Sequence, residues 1–170
     1  MQAYRHTGKI LLPNDFPWRA GLIAMARRGT MAGMPSPSRP ADPHAQARDF
    51  VRDRLGCGCP DELLNQIEIE FLPGPASMTR LKVGGRLLVH IRKCPALADM
   101  DLTLPRWLSE GVALRDALAF NRFRLVLLAD APDAMRPLAE ARFAAQGADE
   151  RTHLHLVATA EAGSLFARSG

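Results

Sequence analysis

The sequence predicts an α/β protein with α+β character. Its expected order is a helix, a three-stranded antiparallel meander, then αβαβ, giving a mixed five-stranded sheet with helices packed on it. Three stretches carry this reading. Residues 66–72 alternate, with Ile67, Ile69 and Phe71 on one side and Glu68 and Glu70 on the other, the period of a half-buried strand. Two apolar segments flank Gly84-Gly85, the composition of a hairpin turn. Arg122 to Ala129 is apolar on both faces from Leu125 onward, as a central parallel strand would be, and it lies between two segments of helical period.

Taken in order, a first helix is predicted over about residues 44–55. It carries Ala47, Phe50, Val51 and Leu55 at helical spacing, and Gly56 sits where a C′ glycine belongs. Cys57-Gly58-Cys59-Pro60 follows, and residues 60–65 make a short helical turn. Cys59-Pro60-Asp61-Glu62 matches a capping box with Cys in the N-cap position. In the hairpin, a two-residue turn would place Arg80 and Lys82 on the face of Leu87 and Val89. A three-residue loop, Gly84-Gly85-Arg86, instead pairs Val83 with Leu87, Leu81 with Val89 and Thr79 with Ile91, which gives one apolar face and is the register expected. Extended to the first strand, that register sets Glu70 opposite Arg80 and Glu68 opposite Lys82.

A helix is predicted from Leu104 to Ala119, with a stripe of Leu104, Trp107, Gly111, Leu114 and Leu118. Asp130 is the expected N-cap of the next helix, which ends before Gly147, and Thr152 to Thr159 is the last strand. The domain reading is a disordered or loosely attached tail over 1–43, one α/β domain over 44–160, and a flexible C-terminus over 161–170. Residues 31–43 are rich in Pro, Ser, Gly and Ala without an apolar face, and Met34 is a candidate start of the chain.

Composition narrows the function classes. Of the 170 residues, 47% are apolar and 24% charged, close to globular averages. The longest apolar run, Leu125 to Ala129, is far short of the roughly 18 residues a spanning helix needs. Gly21 to Ala26 is too short for a signal peptide's apolar region, and the three cysteines are too few and odd in number for a secreted disulfide framework. A cytoplasmic protein with free thiols is therefore expected. The net charge of +4 sits within residues 1–44, where Arg5, Lys9, Arg19, Arg27, Arg28 and Arg39 face Asp15 and Asp42, while the rest of the chain balances. A basic tail on a neutral domain is a poor footprint for nucleic acid, and none is expected as a partner.

Cys57 and Cys59 are the candidate catalytic residues. Residues two apart can reach disulfide geometry if the chain bends between them, and Gly58 gives it that freedom. The same thiols would suit a thiophilic metal, but two thiolates are half a tetrahedral zinc set. Arg54 favours a thiolate here, whereas Asp61 and Glu62 oppose one. Cys94 is expected at the far end of the sheet from the pair, too distant to share a disulfide or metal. His90 and Cys94, four apart on a strand, are roughly 13 Å apart. His153 and His155 point to one side about 6.6 Å apart without an evident third ligand. Asp130 lies at the carboxyl end of a parallel strand, where open sheets bind ligands. Arg80, Lys82, Arg86, Arg92 and Lys93 read as a solvated, partly paired face. No phosphate loop, zinc-protease motif or nucleophile elbow is present, and no cofactor is expected.

The leading functional expectation is a small thiol redox protein that cycles Cys57 and Cys59, working on another protein. The alternatives are a non-catalytic interaction or regulatory module with structural cysteines, and a thiolate metal carrier. Oligomeric state is left open.

Overall fold

A computed structural model describes residues 42–74 and 77–165, and the expectations for the N-terminal tail before residue 42 and for residues 166–170 lie outside them. Helix α1 spans Pro43–Asp49 and continues as a wider π-type turn over Phe50–Arg54. Its Ala47, Phe50 and Val51 face inward, and Gly56, with φ of 60°, turns the chain out of it. A single turn, α2, follows at Asp61–Leu64. Strands β1 (Ile67–Leu72), β2 (Met78–Val83) and β3 (Leu87–Lys93) form the meander. Then come α3 (Met100–Ala117), β4 (Arg122–Ala129), α4 (Pro132–Ala145) and β5 (Thr152–Ala158).

The sheet has five strands in the order β1-β2-β3-β4-β5, antiparallel across the meander and parallel from β3 to β5. This is the expected mixed sheet with helices packed on it. The register is also the expected one, with Val83 opposite Leu87, Leu81 opposite Val89, Glu70 opposite Arg80 and Glu68 opposite Lys82. Glu70 takes an ion pair from Arg80 at 2.9 Å and another from Lys82.

Two apolar layers cover the sheet. On one face α1, the π-type turn, Leu64 of α2 and the turn at Thr159–Leu165 pack on Val83, Val89, Ile91, Val126 and Leu128. Residues 161–165, assigned from sequence to a flexible C-terminus, carry Ala162 and Leu165 into this core. On the other face α3 and α4 cover Leu88, Phe123, Leu125, Leu127 and Leu156. Both crossover helices lie on the same face, as two crossovers of one hand stepping the same way along a sheet must. The expected solvated face is thus open only at β1 and β2. His90 is 1% exposed under α3, and Arg92 lies over the Trp107 ring at 4.8 Å.

Four local expectations are corrected. Helix α3 begins at Met100, because a preceding turn at Leu97–Asp99 feeds it and Pro105 sits inside it and does not start it. Leu118 is exposed and Arg115 is buried instead, held by Asp116 and Asp149 at 2.8 Å each. The N-cap of α4 is Ala131, not Asp130, and the N-cap of α2 is Pro60, not Cys59, neither with a side-chain cap bond.

Gly111 fixes how closely α3 approaches the sheet. A Cβ there would overlap the Phe123 ring, which is fully buried. Replacing Gly111 with Ala gains about 1 kcal/mol of helix propensity. Overpacking a filled core costs typically 1–3 kcal/mol, so the clash should win. Gly111→Ala is expected to lower the thermal midpoint by several degrees; a midpoint raised by the substitution would contradict this packing.

Candidate functional site

The cysteine loop is tied down on both sides. Leu55 and Leu64, in the core, bracket it. Cys57 N donates to Val51 O at 3.2 Å, and Leu63 N and Leu64 N donate to Pro60 O. Cys57 and Cys59 are half-buried against the core and joined as a disulfide, with Cα atoms 5.2 Å apart. Cys94 is therefore the one free thiol among the described residues. The expectation of three free thiols is not met. Gly58 has an ordinary φ and open space where a Cβ would stand, so the bend that closes the pair does not depend on glycine there.

The disulfide borders a cleft of about 390 Å³ whose opposite wall is Arg86, Leu87, Asn121, Arg122 and Arg124. Three elements build that wall. Arg86 ends the hairpin turn, and its carbonyl accepts from Asn121 N and Arg122 N, which locks the turn to the start of β4. Gly84 of the same turn abuts α2, since a Cβ there would fall 2.6 Å from Leu63 Cδ2. Arg122 and Arg124 share the face of β4 that Val126 and Leu128 present to the α1 layer.

Arg124 is 7% exposed. Its Nη1 donates to Leu55 O at the end of the π-type turn, a favourable place for a cation, while its Nε is buried without a partner among the described residues. Burial, aided by the Arg122 charge, pulls its pKa down. The other two buried arginines have carboxylates: Arg92 meets Glu110 at 3.1 Å, and Arg115 meets Asp116 and Asp149. Among the described residues Arg86, Arg122 and Arg124 form no ion pair. Asp61, which was expected to oppose a thiolate, is paired with Arg52.

The remaining candidates fall elsewhere. Cys94 follows β3 at the opposite end of the sheet from Leu87 and the disulfide, in a separate cleft of about 280 Å³ that it shares with Asp130. Its thiol pKa is raised by burial. Asp130 is exposed, and the order β3-β4-β5 contains no reversal that would open a switch-point crevice there. His153 and His155 lie beside Arg122 and Arg124, cations that repel a metal. No group of three or more His, Cys, Asp or Glu among the described residues could hold a metal ion.

Sequence reasoning assigned Arg86 to a solvated face and passed over Arg122 and Arg124. A signal was present in Arg122-Phe123-Arg124, since period two puts Arg124 in line with Val126 and Leu128 on a strand otherwise apolar. No family model, curated protein or solved structure matches this chain, so its function is argued from this geometry.

The buried imidazoles make a further statement. His90 accepts from Arg80 Nε at 3.2 Å, and burial, with Arg80 and Arg92 nearby, lowers its pKa to about 3. Burial and Arg124 lower His155 to about 4. Both are neutral in the fold and take up protons on unfolding. Their contribution is complete above the unfolded pKa near 6.5 and is lost as the pH falls from there toward 4. Asp149, held below the usual carboxylate range by Arg115, adds its own loss only at lower pH. Denaturant unfolding should therefore show stability falling between about pH 6.5 and 4, with a shallower slope in His90→Gln, which keeps an acceptor for Arg80. An unchanged stability across that window would contradict the burial of these rings.

Proposed function

We propose that this protein is a thiol redox protein that cycles Cys57 and Cys59 between dithiol and disulfide. The observation that carries the reading is the close cysteine pair opening onto a cleft walled by arginines that form no ion pair among the described residues. A thiolate, and not a thiol, is the nucleophile and the leaving group of exchange, and neighbouring cations favour it. With Asp61 drawn onto Arg52, Glu62 is the remaining carboxylate in the turn after Cys59, set against the three guanidinium groups of the cleft.

The span of the bond supports the same reading over a structural staple. A cross-link between residues two apart removes little freedom from the unfolded chain, about 1.5 kcal/mol in the loop-entropy account. Leu55 and Leu64 anchor the loop ends in the core whether or not the sulfurs are joined. Opening the bond should leave the fold intact, as a cycling site needs. A metal carrier is disfavoured by charge: a divalent ion would meet two sulfurs and three guanidinium groups.

Thiol titration tests this. Fully reduced protein should present three thiols, and mild oxidation should leave one, without intermolecular dimers. In Cys94→Ser the count should go from two to none, with the midpoint of a redox titration unchanged, since Cys94 lies at the other end of the sheet. Covalent dimers on oxidation, or a pair that resists a strong dithiol reductant in the folded protein, would sink the reading.

A further inference from the structure

We propose that the cleft beside Cys57 and Cys59 binds a low-molecular-weight thiol, or its disulfide, bearing carboxylates, with Arg86, Arg122 and Arg124 as the anion-recognising groups. The inference rests on the redox reading above and names its substrate class. Three observations carry it. These arginines converge on one cleft, and none has a carboxylate among the described residues. Arg124, 7% exposed, has only the Leu55 carbonyl as acceptor and keeps a buried Nε without a hydrogen-bond partner among the described residues, so its charge is incompletely compensated. The volume, about 390 Å³, is room for a small molecule.

Acidic side chains are scarce outside the described residues. Residues 1–41 hold six bases and the single acid Asp15, and residues 166–170 contain Arg168 and no acidic side chain. A second cleft of about 410 Å³ shares Arg122 and Arg124 and is lined also by His153, His155 and the carboxylate of Glu140, so the anion position is the one beside the sulfurs.

The chemistry balances as two exchanges. The ligand's thiolate attacks one sulfur of the Cys57–Cys59 bond; a mixed disulfide forms and the other cysteine leaves as thiolate, favoured by the arginine wall. A second ligand thiolate attacks the mixed disulfide, and the small disulfide departs. Two small thiols are oxidised, one protein disulfide is reduced, and the two thiol protons end on Cys57 and Cys59.

The test compares reduction of the oxidised full chain by mercaptosuccinate, which carries two carboxylates, with reduction by neutral 2-mercaptoethanol, each corrected for its own thiolate fraction. Attraction by a charged cleft should favour mercaptosuccinate by about ten-fold or more at low ionic strength. That ratio should fall toward one in Arg86→Gln/Arg122→Gln, two exposed positions whose replacement should spare the fold. It should also fall at about 1 M salt, where screening acts within roughly 3 Å. In parallel, succinate should shift the backbone amide resonances of Arg122 and Arg124 in Cys57→Ser/Cys59→Ser, which cannot exchange disulfides. A disulfide reduced by dithiothreitol but indifferent to thiol charge would overturn the anion site alone. One that resists dithiothreitol would overturn the redox reading beneath it, whatever succinate does.

Discussion

Strand β4 is buried along seven of its eight residues, and that double burial organises the molecule. A strand covered on both faces needs an apolar layer on each side, and a chain of this length must build both from short pieces. The crossover helices α3 and α4 supply one layer, fixed to the face on which right-handed connections place them. The other is assembled from the two ends of the described chain, α1 with its π-type turn and the final turn at Thr159–Leu165. The cysteine loop is where the chain leaves α1 and its π-type turn and bends toward the meander, so its position follows from the need to cover β4 and β3.

Within that double burial, Arg124 is the exception on the α1 side of β4. An apolar residue at the start of β4 would have completed the layer beneath α1. A guanidinium there must find acceptors in a place where water is scarce, and the carbonyl of Leu55 supplies one. The protein meets the same problem differently elsewhere: Arg115 is satisfied by Asp116, Asp149 and Thr152, and Arg92 by Glu110 and the Trp107 ring. Both of those sites include a carboxylate. The Arg124 site is left with a surplus of positive charge facing the sulfurs.

Much of the fold was legible because it depends on short-range patterns. The hairpin register followed from which faces of Leu81, Val83, Leu87 and Val89 must be buried together, and a one-residue slip would have reversed them. The start of α3 was misread because its apolar stripe was counted from Leu104, yet Met100, four residues earlier on the same face, is also buried, with an exposed Leu102 between them. Arg115 was hidden for another reason: its place inside depends on Asp149, which is distant in sequence. The same holds for the site. The cysteines were visible as a motif, but the arginine wall exists only once β3 and β4 are paired in parallel, bringing residue 86 beside residue 122. Pairings of that kind are properties of topology, not of local pattern.

The contact between Gly84 and Leu63 has a mechanical consequence. It presses the hairpin turn that carries Arg86 against the helical turn that follows Cys59, while Gly84 N also donates to Gln66 O. The backbones of the two walls of the cleft are thereby braced against each other. A small molecule entering a cleft so braced would meet backbone already in place, and little ordering of the main chain would be deducted from its affinity. Encounter should then proceed at the pace of diffusion and orientation, and selection among visitors should fall on their shape and on how fast they leave.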